Sequence, residues 1–158
     1  MPPPLLFDPG QYDLTRVVVT REQIYGLLPH RYEFMLLDGA LVVDAENGRM
    51  VAFADLREDA WWARGHIPDR PMLPGVLMIE MGAHAASYYY RAVLGHPGFL
   101  AFAGLEVCKF RGTVEPPCRL HLLGTAVDVR PRRSVCVFQG LVGDRMAFEG
   151  KITGIPIE

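Results

Sequence analysis

The sequence is poor in cysteine, carries almost no net charge and lacks a long apolar run. Its three cysteines, Cys108, Cys118 and Cys136, are odd in number and form no C-x-x-C pair. This pattern argues against a disulfide framework or a zinc cluster and is typical of a reducing compartment, so we expect a cytoplasmic protein. No run reaches about 18 apolar residues, because Glu80 and His84 interrupt the best candidate, and we expect no membrane span. The net charge of −2 gives no general attraction to nucleic acid.

The chain also lacks an internal repeat, a low-complexity segment and the basic start and apolar stretch of a signal peptide. Its 158 residues are enough for one domain with its own core, and half of them are apolar. With 22% charged residues, this composition is typical of an ordinary globular domain.

The hydrophobic pattern predicts one long helix between two groups of strands. Residues 75–94 are apolar on nearly every side, which is typical of a buried helix, here roughly 30 Å long. Thr20, followed by Glu22 and Gln23, predicts a capped short helix over residues 21–27. Strands on either side of a single helix favour an α+β fold in which a sheet wraps the helix. The predicted strands span residues 34–44 and 49–56, joined by a hairpin at Asn47 and Gly48, then 99–114, 119–128, 133–142 and 146–155, and residues 57–74 are expected to be irregular.

The stretch GHIPDRPMLPGVLMIE, residues 65–80, contains the residues that we expect to carry chemistry. His66 precedes a proline-rich turn, and Glu80 lies on the second turn of the apolar helix. A carboxylate on a buried helix is costly unless it is paired or functional. Desolvation by its apolar neighbours should raise the pKa of Glu80, which suits a general acid. We therefore take His66 and Glu80 as the catalytic candidates.

Three stretches resemble the 3-hydroxyacyl-[acyl-carrier-protein] dehydratases of fatty-acid synthesis, in their FabZ-like branch. They are LPHRYEFMLLDGAL (28–41), GHIPDRPMLPGVLMIEMGAHAA (65–86) and KFRGTVEPPCRL (109–120). The resemblance runs from about residue 24 to the end of the sequence. It implies a single hotdog domain over residues 21–158, with residues 1–20 as an N-terminal extension. It also implies a homodimer with two sites at its interface, often assembled further into hexamers, an acyl carrier protein as partner, and no cofactor.

The resemblance assigns a role to each residue of the central motif. The family reaction removes water from a 3-hydroxyacyl thioester and gives the trans-2-enoyl thioester. His66 would be the base at C2, and Glu80 of the other subunit would act on the hydroxyl, directly or through a water. The backbone N–H groups of Gly75 and Val76 would face the thioester carbonyl, and Pro74 would stiffen the preceding loop. The alternatives are a loop histidine that only bonds its own turn and a glutamate that only holds a backbone amide.

His84 stands where the family usually has glutamine. It lies four residues after Glu80, so both side chains project from one helix face and can touch. Our hypothesis is that a neutral His84 orients Glu80, and a core histidine bonded to water or backbone is the alternative. His66, Glu80 and His84 could also be read as metal ligands, but no further ligand spacing supports this, and we expect no metal.

Three other groups of residues are weaker candidates. The motif His30, Arg31 and Tyr32 is interpreted as structural. Several aromatic side chains could line an acyl tunnel, although ordinary core is the commoner explanation. Two basic patches could dock an acidic carrier protein, although a solvated surface is commoner. The tunnel candidates are Trp61, Trp62, Phe99, Phe102 and Phe110, and the docking candidates are Lys109, Arg111, Arg130, Arg132 and Arg133.

We therefore expect a hotdog dehydratase that acts on (3R)-hydroxyacyl chains bound to a carrier protein. One alternative is a hotdog dehydratase or thioesterase of a specialised pathway, and another is a non-catalytic acyl-binding hotdog module. The string HxP…PGVL…E argues against a thioesterase, whose carboxylate is placed differently. The presence of both His66 and Glu80 argues against a module without catalysis.

Overall fold

Seven antiparallel strands form one sheet around a central helix in the computed structural model, which describes residues 1–157. The elements are β1 Val19–Thr20, α1 Arg21–Leu27, β2 Gly39–Asp44, β3 Arg49–Leu56, α2 Ala63–His66, α3 Gly75–Tyr88, β4 Phe99–Phe110, β5 Cys118–Arg130, β6 Arg133–Val142 and β7 Arg145–Ile157. The strand order across the sheet is β1-β2-β3-β5-β6-β7-β4, so β4 lies at one edge. Helix α3 packs mainly against β4 to β7.

This architecture confirms the predicted α+β class and the sheet wrapped on one helix, the hotdog arrangement. Helix α3 begins at Gly75 as predicted, and a π-helical turn, Tyr89–Val93, replaces its expected last turn. The capping box at α1 is also confirmed, because Gln23 N–H donates to Thr20 Oγ1 and Thr20 N–H donates to Gln23 Oε1. No helix within residues 1–157 has the length and apolar character that crossing a membrane requires.

Two local predictions were wrong. The first predicted strand begins at Gly39 rather than at residue 34, because residues 32–34 form a 3₁₀ turn. The segment 57–74 contains the short helix α2, whose four residues are too few to leave a periodic signal. The hairpin between β2 and β3 is confirmed, and Gly48 takes the left-handed conformation (φ 66°) in its loop.

The two faces of the sheet bury separate apolar clusters. Side chains alternate along β3, so that Met50 and Ala52 join the cluster around α3 while Val51 and Phe53 join a cluster on the opposite face. The N-terminal segment covers this opposite face with Phe7, which is 5% exposed. The Gln139 side chain holds the segment in place by accepting from Leu6 N–H at 2.9 Å and donating to Pro4 O at 3.0 Å.

Candidate active site

His66 lies at the end of α2 with one ring nitrogen fixed and the other free. Its Nδ1 lies 2.9 Å from the carbonyl oxygen of Met72, and a carbonyl can only accept, so Nδ1 carries a proton. In the neutral form of the imidazole, Nε2 is then the nitrogen with the lone pair. His66 shares an open apolar groove of about 360 Å³ with Trp61, Trp62, Pro74, Val76 and Leu77. A base with a free lone pair therefore lies beside the start of α3.

The first turn of α3 borders the same groove through Val76 and Leu77. Gly75 and Val76 are the first helical residues, so their N–H groups have no intrahelical acceptor, and no side chain among residues 1–157 caps them. The helix dipole adds positive potential there. The Phe110 ring packs against the backbone of Gly75, where an added Cβ would lie 2.8 Å from Phe110 Cε1. Glycine is therefore needed at position 75 for this close approach.

Glu80 belongs to a polar cluster within the core side of α3. Its Oε1 lies 3.1 Å from His84 Nε2 and 3.9 Å from His30 Nε2. The rings of His30 and His84 lie against each other with centroids 3.8 Å apart and planes tilted by 32°. On its other side, His84 Nδ1 lies 2.9 Å from the Tyr25 hydroxyl. His84 is 1% exposed, whereas the side chain of Glu80 keeps 32% of its surface accessible.

The pKa of Glu80 is lowered, whereas the sequence predicted that burial would raise it. The hydrogen bond from His84 lowers this pKa below its usual range and outweighs burial, which acts in the other direction. The expected rise was wrong because a donor sits four residues along the helix and the carboxyl group is only half-buried. Burial, helped by the neighbouring His84, lowers the pKa of His30 from 6.5 to about 4. At neutral pH the cluster thus holds an ionised Glu80 beside a neutral His30.

The cluster differs from the grouping considered from the sequence. His30, interpreted as structural, takes the place that the metal-ligand alternative gave to His66, and the ligand atoms of His30, Glu80 and His84 lie within 4.8 Å of one another. Two imidazoles and a carboxylate are ligands that zinc accepts. Tyr25 is a further member of the cluster that was not predicted. His30 could have been found from the motif LPHRYEF, but nothing in the sequence marked Tyr25.

His66 and Glu80 do not contact each other within one chain. Among residues 1–157 no hydrogen bond or ion pair joins them, since His66 bonds Met72 and Glu80 bonds His84. Their joint action therefore stays a prediction that requires more than the isolated protomer.

The five candidate tunnel residues lie in three different parts of the structure. Trp61 and Trp62 line the groove of His66, and Phe110 covers Gly75. Phe99 and Phe102 lie on β4, outside that groove. A tunnel formed by all five stays a prediction.

The candidate docking residues are mostly engaged in ion pairs. Arg111 binds Glu149 at 2.8 Å, and Arg130 and Arg133 both bind Asp128, at 3.0 and 2.6 Å. Lys109 and Arg132 are exposed. These ion pairs reduce the net positive charge that either patch offers to a partner.

Comparison with known proteins places the chain in a family. The model of the FabA-like domain matches residues 28–151. A 3-hydroxyacyl-[acyl-carrier-protein] dehydratase FabZ from Paracidovorax citrulli is 38% identical over 137 residues, covering 82% of this chain and 91% of the relative. The FabZ of Moorella thermoacetica is 33% identical over 130 residues, covering 82% and 90%.

Solved structures show the same fold at low identity. The dehydratase heterocomplex ApeI:P from Xenorhabdus doucetiae superposes with a TM-score of 0.72 and 14% identity, covering 90% of this chain and 93% of that one. AziG of S. sahachiroi superposes with a TM-score of 0.61 and 18% identity, covering 77% and 91%. With a family model spanning most of its length and relatives above 30% identity, this chain belongs to the FabA-like family, among its FabZ-type dehydratases.

Proposed function

We propose that this protein removes water from (3R)-hydroxyacyl thioesters carried by an acyl carrier protein and gives the trans-2-enoyl thioesters. The observation that carries the proposal is the groove that His66 shares with the first turn of α3, whose leading amides have no intrahelical acceptor. Such a groove can hold an acyl thioester with its carbonyl against the helix N-terminus and its C2 near a base. The curated relatives named for this reaction support the same substrate class.

The proposed reaction breaks one C–H and one C–O bond. The C2 proton moves to His66 Nε2, while the amides of Gly75 and Val76 stabilise negative charge on the thioester oxygen. The hydroxyl leaves C3 as water after it takes a proton delivered through Glu80. The C2–H electron pair becomes the C2–C3 double bond. Because the hydrogen bond from His84 favours ionised Glu80 in the free chain, Glu80 must first gain a proton from solvent, and His66 returns the C2 proton to solvent at the end of the cycle. An acyl chain and a second protomer that desolvate the carboxyl group would favour this step.

We propose that His66 and Glu80 of one site come from the two protomers of a homodimer. The edge strand β4 supports this, because it presents unpaired backbone and exposed apolar side chains, including Phe102, Leu105 and Val107. Such an edge normally needs a covering partner. A second β4 paired across a two-fold axis would extend the sheet and bury these side chains. Measurement of the mass of the assembly in solution would show the dimer and any assembly beyond it.

The proposal also includes a contact with the carrier protein and a cytoplasmic location. Lys109 is the best docking candidate, since it is exposed and precedes Phe110, whose ring packs on Gly75, whereas Arg111 is engaged with Glu149. A cytoplasmic location is supported by three free cysteines, which suit a reducing compartment.

The test is a dehydration assay on 3-hydroxyacyl carrier-protein thioesters of several chain lengths, with free thiol measured in parallel. We expect enoyl product without thiol release in the parent and a loss of about 10²–10⁴-fold in His66→Ala and in Glu80→Ala. Thiol release in the parent would indicate a thioesterase instead. Equal activity in parent and variants would reject the assigned residues.

A mixing experiment tests the shared site. After exchange of subunits, a heterodimer of His66→Ala and Glu80→Ala chains has one site with both residues intact. We therefore expect the inactive variants to regain about a quarter of parental activity when mixed. No recovery, with subunit exchange verified by mass, would place both residues of a site in one chain.

A further inference from the structure

A continuous line of hydrogen bonds leads from the backbone of Leu37 to the carboxylate of Glu80. Leu37 N–H donates to the Tyr25 hydroxyl oxygen at 2.9 Å, and the same hydroxyl lies 2.9 Å from His84 Nδ1. His84 Nε2 then lies 3.1 Å from Glu80 Oε1. Tyr25 and His84 are 2% and 1% exposed, so water has little access to either group.

The Leu37 amide N–H, which cannot accept a hydrogen bond, determines which atom donates in each of these bonds. The Leu37 amide can only donate, so the Tyr25 oxygen accepts that bond. The single hydroxyl hydrogen of Tyr25 is left for His84 Nδ1, its other hydrogen-bond partner among residues 1–157. Nδ1 therefore accepts, and a neutral imidazole must carry its proton on Nε2, facing Glu80.

The ionised Glu80 favours the same direction, because a carboxylate can only accept, so the contribution of Tyr25 must be measured with Glu80 replaced. The His30 ring, from the loop after α1, lies tilted against His84 and approaches Glu80, but it does not bond His84 Nδ1. Burial keeps His30 neutral at pH 7, with its pKa lowered to about 4, so it adds no charge. Burial also raises the pKa of Tyr25, which therefore stays protonated and able to donate.

We propose that Tyr25 is a positioning residue that places the proton of His84 on Nε2. Glu80 Oε1 is then a hydrogen-bond acceptor, and the proton that Glu80 delivers to the substrate hydroxyl is left on Oε2. The kinetic consequence rests on the proposed function, whereas the tautomer is a property of the folded chain alone. Tyr25 acts through His84 and touches neither substrate nor reacting atoms. A neutral histidine at position 84 could turn either a protonated or an unprotonated Nε2 toward Glu80. The hydrogen bond from Tyr25 to Nδ1 selects the tautomer with the proton on Nε2.

The tautomer can be measured by long-range ¹H–¹⁵N NMR of histidine-labelled protein at pH 7. We expect the proton on Nε2 of His84 in the parent and also in Glu80→Gln, where Tyr25 is the remaining fixed partner. Both tautomers should appear once Tyr25→Phe is added to Glu80→Gln. A proton on Nδ1 in the parent, or mixed tautomers already in Glu80→Gln, would overturn the proposal. The parent and Glu80→Gln both retain Tyr25, so these two spectra test the proposal even if Tyr25→Phe does not fold.

A double-mutant cycle separates positioning from simple packing. Tyr25→Phe should lower kcat roughly tenfold with little change in KM, a smaller loss than removal of a proton-transfer group. In the His84→Gln background an amide can donate to Glu80 without any tautomer to choose, so Tyr25→Phe should then leave kcat nearly unchanged. Any loss of stability from the unpaired Leu37 N–H would appear equally in both backgrounds.

Tyr12→Phe is the matched control, since it removes a hydroxyl bonded to Asp44 at 2.6 Å on the opposite face of the sheet. It should leave kcat unchanged. An equal loss of kcat for Tyr25→Phe in both backgrounds would reject the proposal. If the parent dehydrates no thioester, the proposed function fails, while the NMR result still decides the tautomer.

Discussion

Glu80 illustrates how one hydrogen bond can reverse the effect of burial on a carboxyl group. Burial alone would raise its pKa, but the His84 N–H four residues along the helix favours the ionised form and dominates. His30 lies against the same pair without such a partner, and its buried Nδ1 has no hydrogen bond within the described residues. Burial therefore decides the charge of His30, which stays neutral.

His30 should make the protein less stable in mild acid. Its pKa is about 4 in the folded chain against 6.5 ordinarily, so the unfolded chain binds the proton first as the pH falls. The free energy of unfolding should therefore drop as the pH falls from about 6.5 to about 4, by at most roughly 3 kcal/mol. Denaturant titrations at pH 4.5, 5.5 and 7 would measure it.

The matching variant for this prediction is His30→Gln, which keeps polar character but does not titrate. Its stability should fall less steeply over the same interval. Identical pH dependence in parent and variant would show that His30 does not carry the effect.

The start of α3 is the element on which the proposed chemistry depends. The turn between His66 and α3 contains three prolines and Asp69, whose φ of 69° is in the left-handed region that aspartate tolerates better than most residues. The Phe110 ring then packs on Gly75 and stacks near Phe148, with ring centroids 6.2 Å apart. Strand β4 thereby fixes one side of the helix N-terminus.

Gly75→Ala should disturb this helix start. The added Cβ would meet the Phe110 ring at 2.8 Å, so either the ring or the first turn must move. We expect a fall in kcat/KM of roughly tenfold or more, because small displacements of positioned groups are costly. Steady-state kinetics would measure it, and adding Phe110→Ala should restore part of the loss if the ring is the cause.

Gly26→Ala is the control for the glycine substitution. Gly26 lies in α1 with nothing within 4 Å of an added Cβ, so the change should leave activity unaltered and raise stability by up to about 1 kcal/mol. A Gly75→Ala protein as active as Gly26→Ala would contradict the proposed tight fit.

At the scale of the whole molecule, the sheet buries apolar residues on both faces. One face wraps α3, and the other is covered by the N-terminal segment through Phe7 and its apolar neighbours. Tyr12 adds a polar anchor by donating to Asp44, and Arg49 lies over the Phe7 ring at 5.0 Å. The first residues therefore contribute to the fold, although they lie outside the part that the family model matches.

Phe7→Ala should destabilise the protein by about 3 kcal/mol, because it removes a large buried side chain and uncovers apolar strand residues. Leu5→Ala should change stability by less than about 0.5 kcal/mol, since Leu5 is 42% exposed. Denaturant unfolding of both variants would measure the difference. Equal effects would mean that the segment is not held through Phe7.

Much of the fold was readable because its signals are local. The capping residues of α1, the apolar stretch of α3 and the hairpin glycine each act within a few residues, and each predicted element formed. Strand ends were less certain, because pairing rather than pattern decides them, as for β4, which ends at Phe110 after two register shifts.

The sequence alone determined the family motif, with His66 before the turn, Gly75 at the helix start and Glu80 and His84 on one helix face, because these relations span only a helical turn or a short loop. The tertiary structure alone decided what surrounds them. Tyr25 lies 59 residues from His84, and His30 lies 50 residues from Glu80, so only the packing of α1 and its loop against α3 brings them together. Helix spacing alone places the donor His84 beside Glu80, but the tertiary packing decides how far the Glu80 carboxyl group is buried, and therefore whether the hydrogen bond or burial dominates its pKa.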